Sequence, residues 1–236
     1  MDVWRSHFEA NSRVKDPVSL PWELGAALTE AERLAIASSI AEFQLGEQSE
    51  GRRLIAQAAQ YPKGDLTTTI RLFIGEEHRH AGLLARYMKL ANIPRRQYTP
   101  RDHLFRRFRR FNLETTLRIL ITAEMVATVY YPALSRATGC PLLQQLAQQI
   151  AADEVVHVQF QHEALRELCA SQPCLQQRLS LLLHRWVFAL TLCTVWQGHR
   201  AVLQRSGLNW GQWWQQNWQT FETVLSDQPH TVAVML

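Results

Sequence analysis

Apolar residues recur every three or four positions along most of the chain, and this period is typical of amphipathic α-helices. The alternation of apolar and polar residues that would indicate half-buried strands is absent from the sequence. The pattern predicts six helices, at about residues 29–60, 66–91, 112–137, 141–170, 174–205 and 209–227. The sequence therefore predicts an all-α protein.

The breaks between these helices predict the domain organisation. Residues 1–28 contain prolines and a glycine and are expected to form an irregular N-terminal arm. Residues 29–170 would form two antiparallel helical hairpins joined by one long crossover at 92–111, which together make a four-helix bundle. Residues 171–236 would add two C-terminal helices that pack on the bundle.

Two pentapeptides, residues 76–80 and 153–157, share the order acid-Glu-x-x-His. On a helix, a glutamate and a histidine three residues apart lie on one face and can bind the same metal ion. The first acid of each pentapeptide, Glu76 or Asp153, is expected to accept the other ring N–H of the histidine in its own motif. Each motif therefore predicts a pair of metal ligands and an acid that orients the histidine.

A single glutamate on the preceding helix accompanies each motif. Glu47 precedes Glu77 by 30 residues, and Glu124 precedes Glu154 by 30 residues. The midpoint of each pair falls in a predicted turn, and residues equidistant from the turn of an antiparallel hairpin lie side by side. We therefore expect the carboxylates and imidazoles to meet at one depth, in a two-metal site with near two-fold symmetry.

These glutamates lie on the apolar faces of their helices, where an unpaired charge is costly. Lys and Arg are absent from those faces near the acids, so metal ions are the simplest source of compensating charge. Oxygen and nitrogen ligands of this kind suit two iron ions, or manganese as the alternative, better than zinc or copper. The predicted metal ligands are Glu47, Glu77, His80, Glu124, Glu154 and His157.

The ligand pattern resembles that of the ferritin-like di-iron carboxylate superfamily over about residues 29–170. The string Glu76-Glu77-His78-Arg79-His80 is similar to the acid-Glu-x-Arg-His signature of bacterial di-iron monooxygenase subunits. The surroundings of Glu47, Glu124 and Glu154 are also similar to those in aldehyde-deformylating oxygenases. The resemblance implies a ferritin-like bundle and an enzyme that uses dioxygen to oxidise a small, largely apolar molecule.

Other functions of the same ligand set stay open at this point. A ferroxidase or iron-storage protein is one, although the net charge of +4 and the tryptophan-rich C-terminal part are less typical of ferritin cages. A peroxide-removing iron or manganese enzyme is another, whereas a rubrerythrin is disfavoured because the four cysteines form no Cys-x-x-Cys pair. An RNA-modifying di-iron hydroxylase would use residues 103–111, where arginines alternate with phenylalanines, although docking of this segment onto the bundle is the favoured interpretation.

Three residues near the ligands have open roles. Tyr131 follows Glu124 by seven residues on the same helix face and is the candidate catalytic residue, although a phenol that only packs in the core gives the same pattern. Glu50 shares a face with Glu47 and is an additional ligand, an acid that orients a ligand, or a solvated acid, of which the solvated acid is the favoured interpretation. Gln161 is expected to fill the interior of the bundle.

The sequence also indicates the expected cellular location and binding partners of the protein. The chain opens without a signal-peptide pattern, and its longest apolar stretch, 181–196, is too short to span a bilayer, so we expect a cytoplasmic protein without a transmembrane segment. The expected partners are a small-molecule substrate, dioxygen and an electron-donor protein. A homodimer is left open because the tryptophan-rich last helix could pack on the bundle or across a dimer, and nucleic acid is the least favoured partner.

Overall fold

The computed structural model describes residues 1–13, 20–48, 51–61, 65–98 and 112–226. Eight α-helices and no strand lie within these ranges, so the prediction of an all-α protein is confirmed. The helices are α1 (Asp2–Arg13), α2 (Glu30–Glu47), α3 (Arg52–Ala58), α4 (Leu66–Leu90), α5 (Leu113–Arg136), α6 (Pro141–Cys169), α7 (Cys174–Arg205) and α8 (Trp210–Leu225).

Side-chain caps fix the beginnings of several helices. Thr29 accepts a hydrogen bond from the backbone N–H of Glu32, and the Glu32 carboxylate accepts one from the Thr29 N–H at 2.7 Å, which is the predicted capping box of α2. Asn112 and Asn209 cap α5 and α8 through their side-chain oxygens. The predicted limits of the last five helices agree closely with those of α4 to α8.

The single helix predicted over about residues 29–60 is wrong, because α2 ends at Glu47 and α3 begins only at Arg52. Gly51, which caps α3, has a φ of 61°, a left-handed conformation that glycine adopts without steric cost. A Cβ atom added to Gly51 would lie 2.3 Å from Cδ1 of Ile74 in α4. The chain therefore leaves its helix directly after a predicted metal ligand, at a point where α4 approaches the backbone closely.

We expect Gly51→Ala to lower the free energy of unfolding of the metal-free protein by about 2 kcal/mol, because alanine is strained at positive φ and its Cβ meets Ile74. Chemical denaturation followed by circular dichroism measures the change. Gly82→Ala is the matched control, since Gly82 lies within α4 and a Cβ added there has nothing within 4 Å. That variant is expected to gain up to about 1 kcal/mol, and equal stabilities would contradict the role given to Gly51.

The irregular arm expected over residues 1–28 is wrong for its first part, where α1 is a regular helix. Phe8 is its one fully buried residue and packs into the main apolar core. Trp4 Nε1 donates a hydrogen bond to Glu163 Oε2 of α6 at 2.7 Å. The prolines and the glycine that follow residue 13 indicated an irregular segment, although Trp4 and Phe8, four residues apart, lie on one face of this amphipathic helix.

Helices α2, α4, α5 and α6 form the predicted bundle of two hairpins. Glu32 at the start of α2 accepts a hydrogen bond from the Gly139 N–H beyond the end of α5 at 2.6 Å. Further along α2, Ser39 Oγ lies 2.6 Å from the hydroxyl of Tyr130, which comes earlier in α5. The two helices are therefore antiparallel, and one apolar core extends along the bundle.

Helices α7 and α8 pack on the outside of the bundle. Trp213 of α8 is fully buried and donates its indole N–H to the Leu192 carbonyl at 3.2 Å. By length and composition alone, α5 and α7 could cross a membrane, but the buried core helices of other proteins pass the same test. In the apolar 18-residue stretch of each helix, 72% is buried for α5 and 28% for α7. The absence of a transmembrane segment therefore stays a prediction.

One face of α7 exposes an apolar stripe of Leu175, Leu179, Leu182, Leu183, Trp186 and Leu190.

Candidate metal centre

Four side chains of ligand type meet in the middle of the bundle. Glu77 and His80 extend from α4, Glu154 and His157 extend from α6, and one ligand atom from each lies within 4.8 Å of the others. The spacing of three residues in each pair places both side chains on one face of their helix. Both histidines and Glu154 are completely buried, while the Glu77 side chain is 14% exposed. Such a group could hold a metal ion.

Glu154 lies between the two imidazole rings. Its Oε1 is 3.4 Å from His80 Nδ1, and its Oε2 is 3.0 Å from His157 Nδ1. Glu77 Oε1 also lies 2.9 Å from His157 Nδ1. The buried atoms His80 Nδ1 and Glu154 Oε1 have no hydrogen bond of good geometry. Because each oxygen of Glu154 faces a different ring, this carboxylate has the geometry of a bridge between two cations.

The outer nitrogen of each histidine contacts an acid on the facing helix. His80 Nε2 lies 2.9 Å from Asp153 Oδ2, and His157 Nε2 lies 2.9 Å from Glu76 Oε2. The prediction that each acid serves the histidine of its own motif is therefore wrong. Nε2 is the ring nitrogen farther from the helix backbone, so in each histidine it reaches an acid on the antiparallel neighbouring helix instead. These contacts orient the rings and leave Nδ1 as the inward donor atom.

Arg79 lies between the two outer acids. One of its terminal nitrogens is 3.6 Å from Glu76 Oε1 and 3.6 Å from Asp153 Oδ2. Burial by itself raises the pKa of Glu76, but the hydrogen bond from His157 and the neighbouring positive charge outweigh burial and hold that pKa below its ordinary value. The guanidinium therefore compensates negative charge outside the ring of predicted ligands.

Glu47 from α2 and Glu124 from α5 complete the group of acids, and both are buried. The Tyr131 hydroxyl donates to Glu47 Oε1 at 2.5 Å, and Gln161 Nε2 donates to Glu124 Oε1 at 3.0 Å. The charges of Glu77 and Glu154 raise the pKa values of Glu47 and Glu124. The structure therefore brings four of the six predicted ligands into one group and places Glu47 and Glu124 near it, and the role of all six as ligands stays a prediction.

The pKa values of these groups show how the buried charges of the centre influence one another. Burial raises the pKa of Glu47 and of Glu124 well above its ordinary range, and neighbouring carboxylates raise it further. Burial would lower the pKa of His80, but hydrogen bonds to carboxylates raise it to about 10, and carboxylates also raise the pKa of His157. Protons thus compensate an excess of buried acids. Cations with a preference for oxygen and nitrogen donors fit the same position.

Two contributions to the centre come from outside the predicted ligand set. Gln161, expected only to fill the interior, binds Glu124, and its position one turn after a ligand-type histidine is a pattern that could have indicated this role. From α1, the Phe8 ring lies 6.0 Å from the His157 ring. The sequence pattern did not predict that α1 would reach the centre.

A buried polar cluster lies next to Tyr131. Ser39 Oγ is 2.6 Å from the Tyr130 hydroxyl and 2.8 Å from His199 Nδ1. The Phe43 ring stacks on Tyr130 with ring centres 3.5 Å apart and meets Tyr131 edge-on at 5.6 Å. His199, which had no role in the sequence pattern, therefore joins α7 to α2 and α5 beside the candidate metal centre.

Two expectations concern residues outside the described ranges. Glu50, the further candidate ligand, falls there, as do residues 103–111 with their arginines and phenylalanines. The group of four glutamates and two histidines described above depends on neither of them.

Comparison with solved structures agrees with this fold. Two variants of an R2-like ligand-binding oxidase, both with an aerobically reconstituted Mn/Fe cofactor, are similar to the chain with TM-scores of 0.66 and 0.65. Each is 12% identical in sequence, and the similarity covers 94% of this chain and 90% or 91% of the other. No family model and no curated protein matches the chain. The fold and the carboxylate–histidine cluster together define a ferritin-like helical bundle, as the resemblance implied.

Proposed function

We propose that this protein is a di-metal oxidase that uses dioxygen. The observation that carries the proposal is the position of Glu154, which offers one oxygen to each of two imidazoles. This geometry suits two cations, one at each histidine Nδ1, with Glu154 shared between them. Glu47 and His80 would complete the first position and Glu124 and His157 the second, with Glu77, whose Oε1 lies 2.9 Å from His157 Nδ1, beside both.

The donor set and the structural neighbours support iron, with manganese as the alternative. Carboxylate and imidazole donors suit both metals, and the similar oxidases carry a Mn/Fe cofactor. Two such ions, when bound, supply the electrons that reduce dioxygen. The chain's own residues place the donor atoms and exclude bulk water, since His80, Glu154 and His157 are fully buried. An electron-donor protein would complete repeated turnover.

A small, largely apolar organic substrate is the class that we propose. Aromatic rings pack directly against the centre: Phe73 meets His157 edge-on at 4.8 Å, and Phe43 lies 5.6 Å from Tyr131. Apolar walls with a few polar groups are typical of sites for such molecules. We propose that Tyr131 acts as the catalytic phenol because its hydroxyl donates to Glu47, a predicted ligand.

Metal loading and dioxygen uptake test this function. Protein loaded anaerobically with Fe(II) and desalted is expected to retain about two ions per chain. Dioxygen consumption, followed with an electrode, should then rise in proportion to bound iron. Fewer than about half an ion per chain would overturn the two-metal proposal. A large multi-subunit cage that accumulates oxidised iron would favour iron storage instead.

The same experiment separates the role of Tyr131 from simple packing. Tyr131→Phe is expected to retain the bound iron but to slow dioxygen consumption by about tenfold, because the hydrogen bond to Glu47 is lost. Tyr130→Phe is the matched control, since the Tyr130 hydroxyl contacts Ser39 rather than a predicted ligand. Equal rates for the two variants would contradict a catalytic role of Tyr131.

A further inference from the structure

Helix α7 has apolar side chains on two opposite sides, and in this chain it buries only one of them. On the inner side, Phe188 and Leu192 are completely buried, and the Phe188 ring lies 4.6 Å from the ring of Phe221 in α8. His184, on the same side, has its Nε2 2.9 Å from Thr122 Oγ1 of α5. The outer side carries the apolar stripe described above. Because a helix that is apolar all round is normally buried all round, we expect the outer side to meet a partner.

The α7 stripe is continuous and large. Each of its six side chains is between 54% and 69% exposed. They lie within about 100° of the helix circumference and extend over about 22 Å of its length. Between residues 175 and 190, every position within that arc is leucine or tryptophan. The resulting face, on the order of 600 Å², is as large as the largest apolar patches of soluble monomers, which often mark binding sites.

The positions of the stripe residues are symmetric about a point between residues 182 and 183. The six residues form three pairs, each at equal distances from that midpoint: Leu182 with Leu183, Leu179 with Trp186, and Leu175 with Leu190. A second copy of α7 that runs antiparallel about a two-fold axis at the midpoint therefore brings every stripe residue level with another stripe residue. A lipid surface or an unrelated protein would not require this symmetry.

The charges beside the stripe also favour a second copy over an anionic membrane. Arg178 and Arg185 lie on one flank, and Arg185 is already paired with Glu222 of α8. Helices that bind membrane surfaces usually carry many basic residues on their polar face. In the antiparallel arrangement, the residues level with the two arginines are Val187 and Ser180, so the arginines of the two copies do not face each other.

We propose that this protein forms a homodimer in which the α7 stripes of two copies pack antiparallel across a two-fold axis. A standard interface covers about 800 Å² on each partner, so a stripe on the order of 600 Å² supplies most of the area required. The dimer surface would thus be on α7 rather than on the tryptophan-rich α8, whose Trp213 is buried within its own chain. This inference is independent of the metal centre.

Sedimentation at about 20 µM chain tests the dimer, because standard interfaces of this size associate in the micromolar range or tighter. The wild-type protein should have twice the mass of one 27.3 kDa chain. Leu182→Glu should weaken the association about 100-fold or more, because two carboxylates would be buried side by side at the axis. Leu34→Glu is the matched control, since Leu34 is a 76% exposed leucine of α2, and this variant should remain dimeric.

Mixed variants separate a lost interface from a damaged fold. An equimolar mixture of Leu182→Glu and Leu182→Lys should form a heterodimer, because the opposite charges meet at the axis. A monomeric wild-type protein, or a Leu182→Glu variant that associates as the wild type does, would overturn the inference. Binding of that monomer to vesicles of anionic phospholipid would assign the stripe to a membrane instead.

Cross-linking tests the antiparallel arrangement itself. The measurement uses a chain whose Cys169, Cys174 and Cys193 are replaced by serine. In this chain, Leu183→Cys should cross-link to its own symmetry mate with a short bismaleimide. Leu190→Cys should not, because two copies of that position would lie about 22 Å apart. Cross-linking at residue 190 without cross-linking at residue 183 would refute the two-fold axis at the midpoint.

Discussion

Glu154→Gln is expected to reduce tightly bound metal from about two ions per chain to fewer than about half an ion. The effect should be this large because the two oxygens of Glu154 face the rings of both His80 and His157. An amide cannot supply the negative charge that both positions share, and its nitrogen would present N–H groups to one of the cations. Metal analysis after anaerobic loading measures the loss, and dioxygen uptake should disappear with it.

Two further variants make this result interpretable. Glu167→Gln on the same helix is the matched control, since Glu167 is exposed, and it should bind metal as the wild-type protein does. Glu154→Asp keeps the charge but shortens the side chain, so it should lower metal content less than the glutamine does. Retention of two ions by a folded Glu154→Gln variant would refute the bridging role. Circular dichroism establishes whether each variant is folded.

The second large effect is a loss of stability of the metal-free protein as the pH rises from about 6.5 to 10. The raised pKa of His80, about 10, stabilises the folded state fully below the ordinary histidine value, and this contribution is lost as the pH approaches 10. The raised pKa values of His157, Glu47 and Glu124 also stabilise the folded state less as the pH rises. Each unit of pKa shift corresponds to about 1.4 kcal/mol, so a loss on the order of a few kcal/mol is expected.

Groups with lowered pKa values do not reverse this trend. Glu154 contributes stability that is lost only in acid, as the pH falls through its lowered pKa. Burial lowers the pKa of His184 to about 3, so its contribution is constant above the ordinary histidine value. Burial also raises the pKa of Cys169, so this thiol adds to the fall above about pH 9, whereas the fall that begins near pH 6.5 belongs to the metal centre of protein from which metal has been removed.

Thermal unfolding with a chelator, compared with metal-loaded protein at the same pH values, measures the effect. The chelated protein should lose roughly 5–15 °C of Tm between pH 6.5 and 10, and the stabilisation by added Mn(II) should grow over that range, since metal replaces protons. His80→Gln should flatten the dependence, whereas His78→Gln, at an exposed position of the same helix, should not. A Tm that is constant or rises over this range in the chelated protein would contradict the proposed charge balance.

The convergence of the ligand-type residues was predictable because it follows from local and hairpin geometry. The spacing of three residues in Glu77–His80 and Glu154–His157 fixes a common helix face without reference to the rest of the fold. The equal spacing of the two preceding glutamates from their turns needs only an antiparallel hairpin. The helix limits of α4 to α8 were predictable for a similar reason, since prolines, asparagine caps and glycines lie at their ends.

The features that escaped prediction depend on which helices face each other. Nothing in the motif of residues 76–80 indicates that its first acid serves a histidine of another helix, because that depends on the packing of α4 against α6. The contact of Phe8 with the His157 ring likewise depends on where α1 docks. Gly51 was a visible helix breaker, but its close approach to Ile74 is a tertiary contact.

The crossed contacts behind the two histidines also set the alignment of α4 with α6. Glu76 of α4 contacts His157 of α6, and Asp153 of α6 contacts His80 of α4. Both contacts therefore require the same axial position of the two helices. Sliding either helix by one turn, about 5.4 Å, would break both bonds together and move Nδ1 of each ring away from Glu154. We therefore expect the two halves of the centre to form together when α4 packs against α6, without a folding intermediate that has only one half in place.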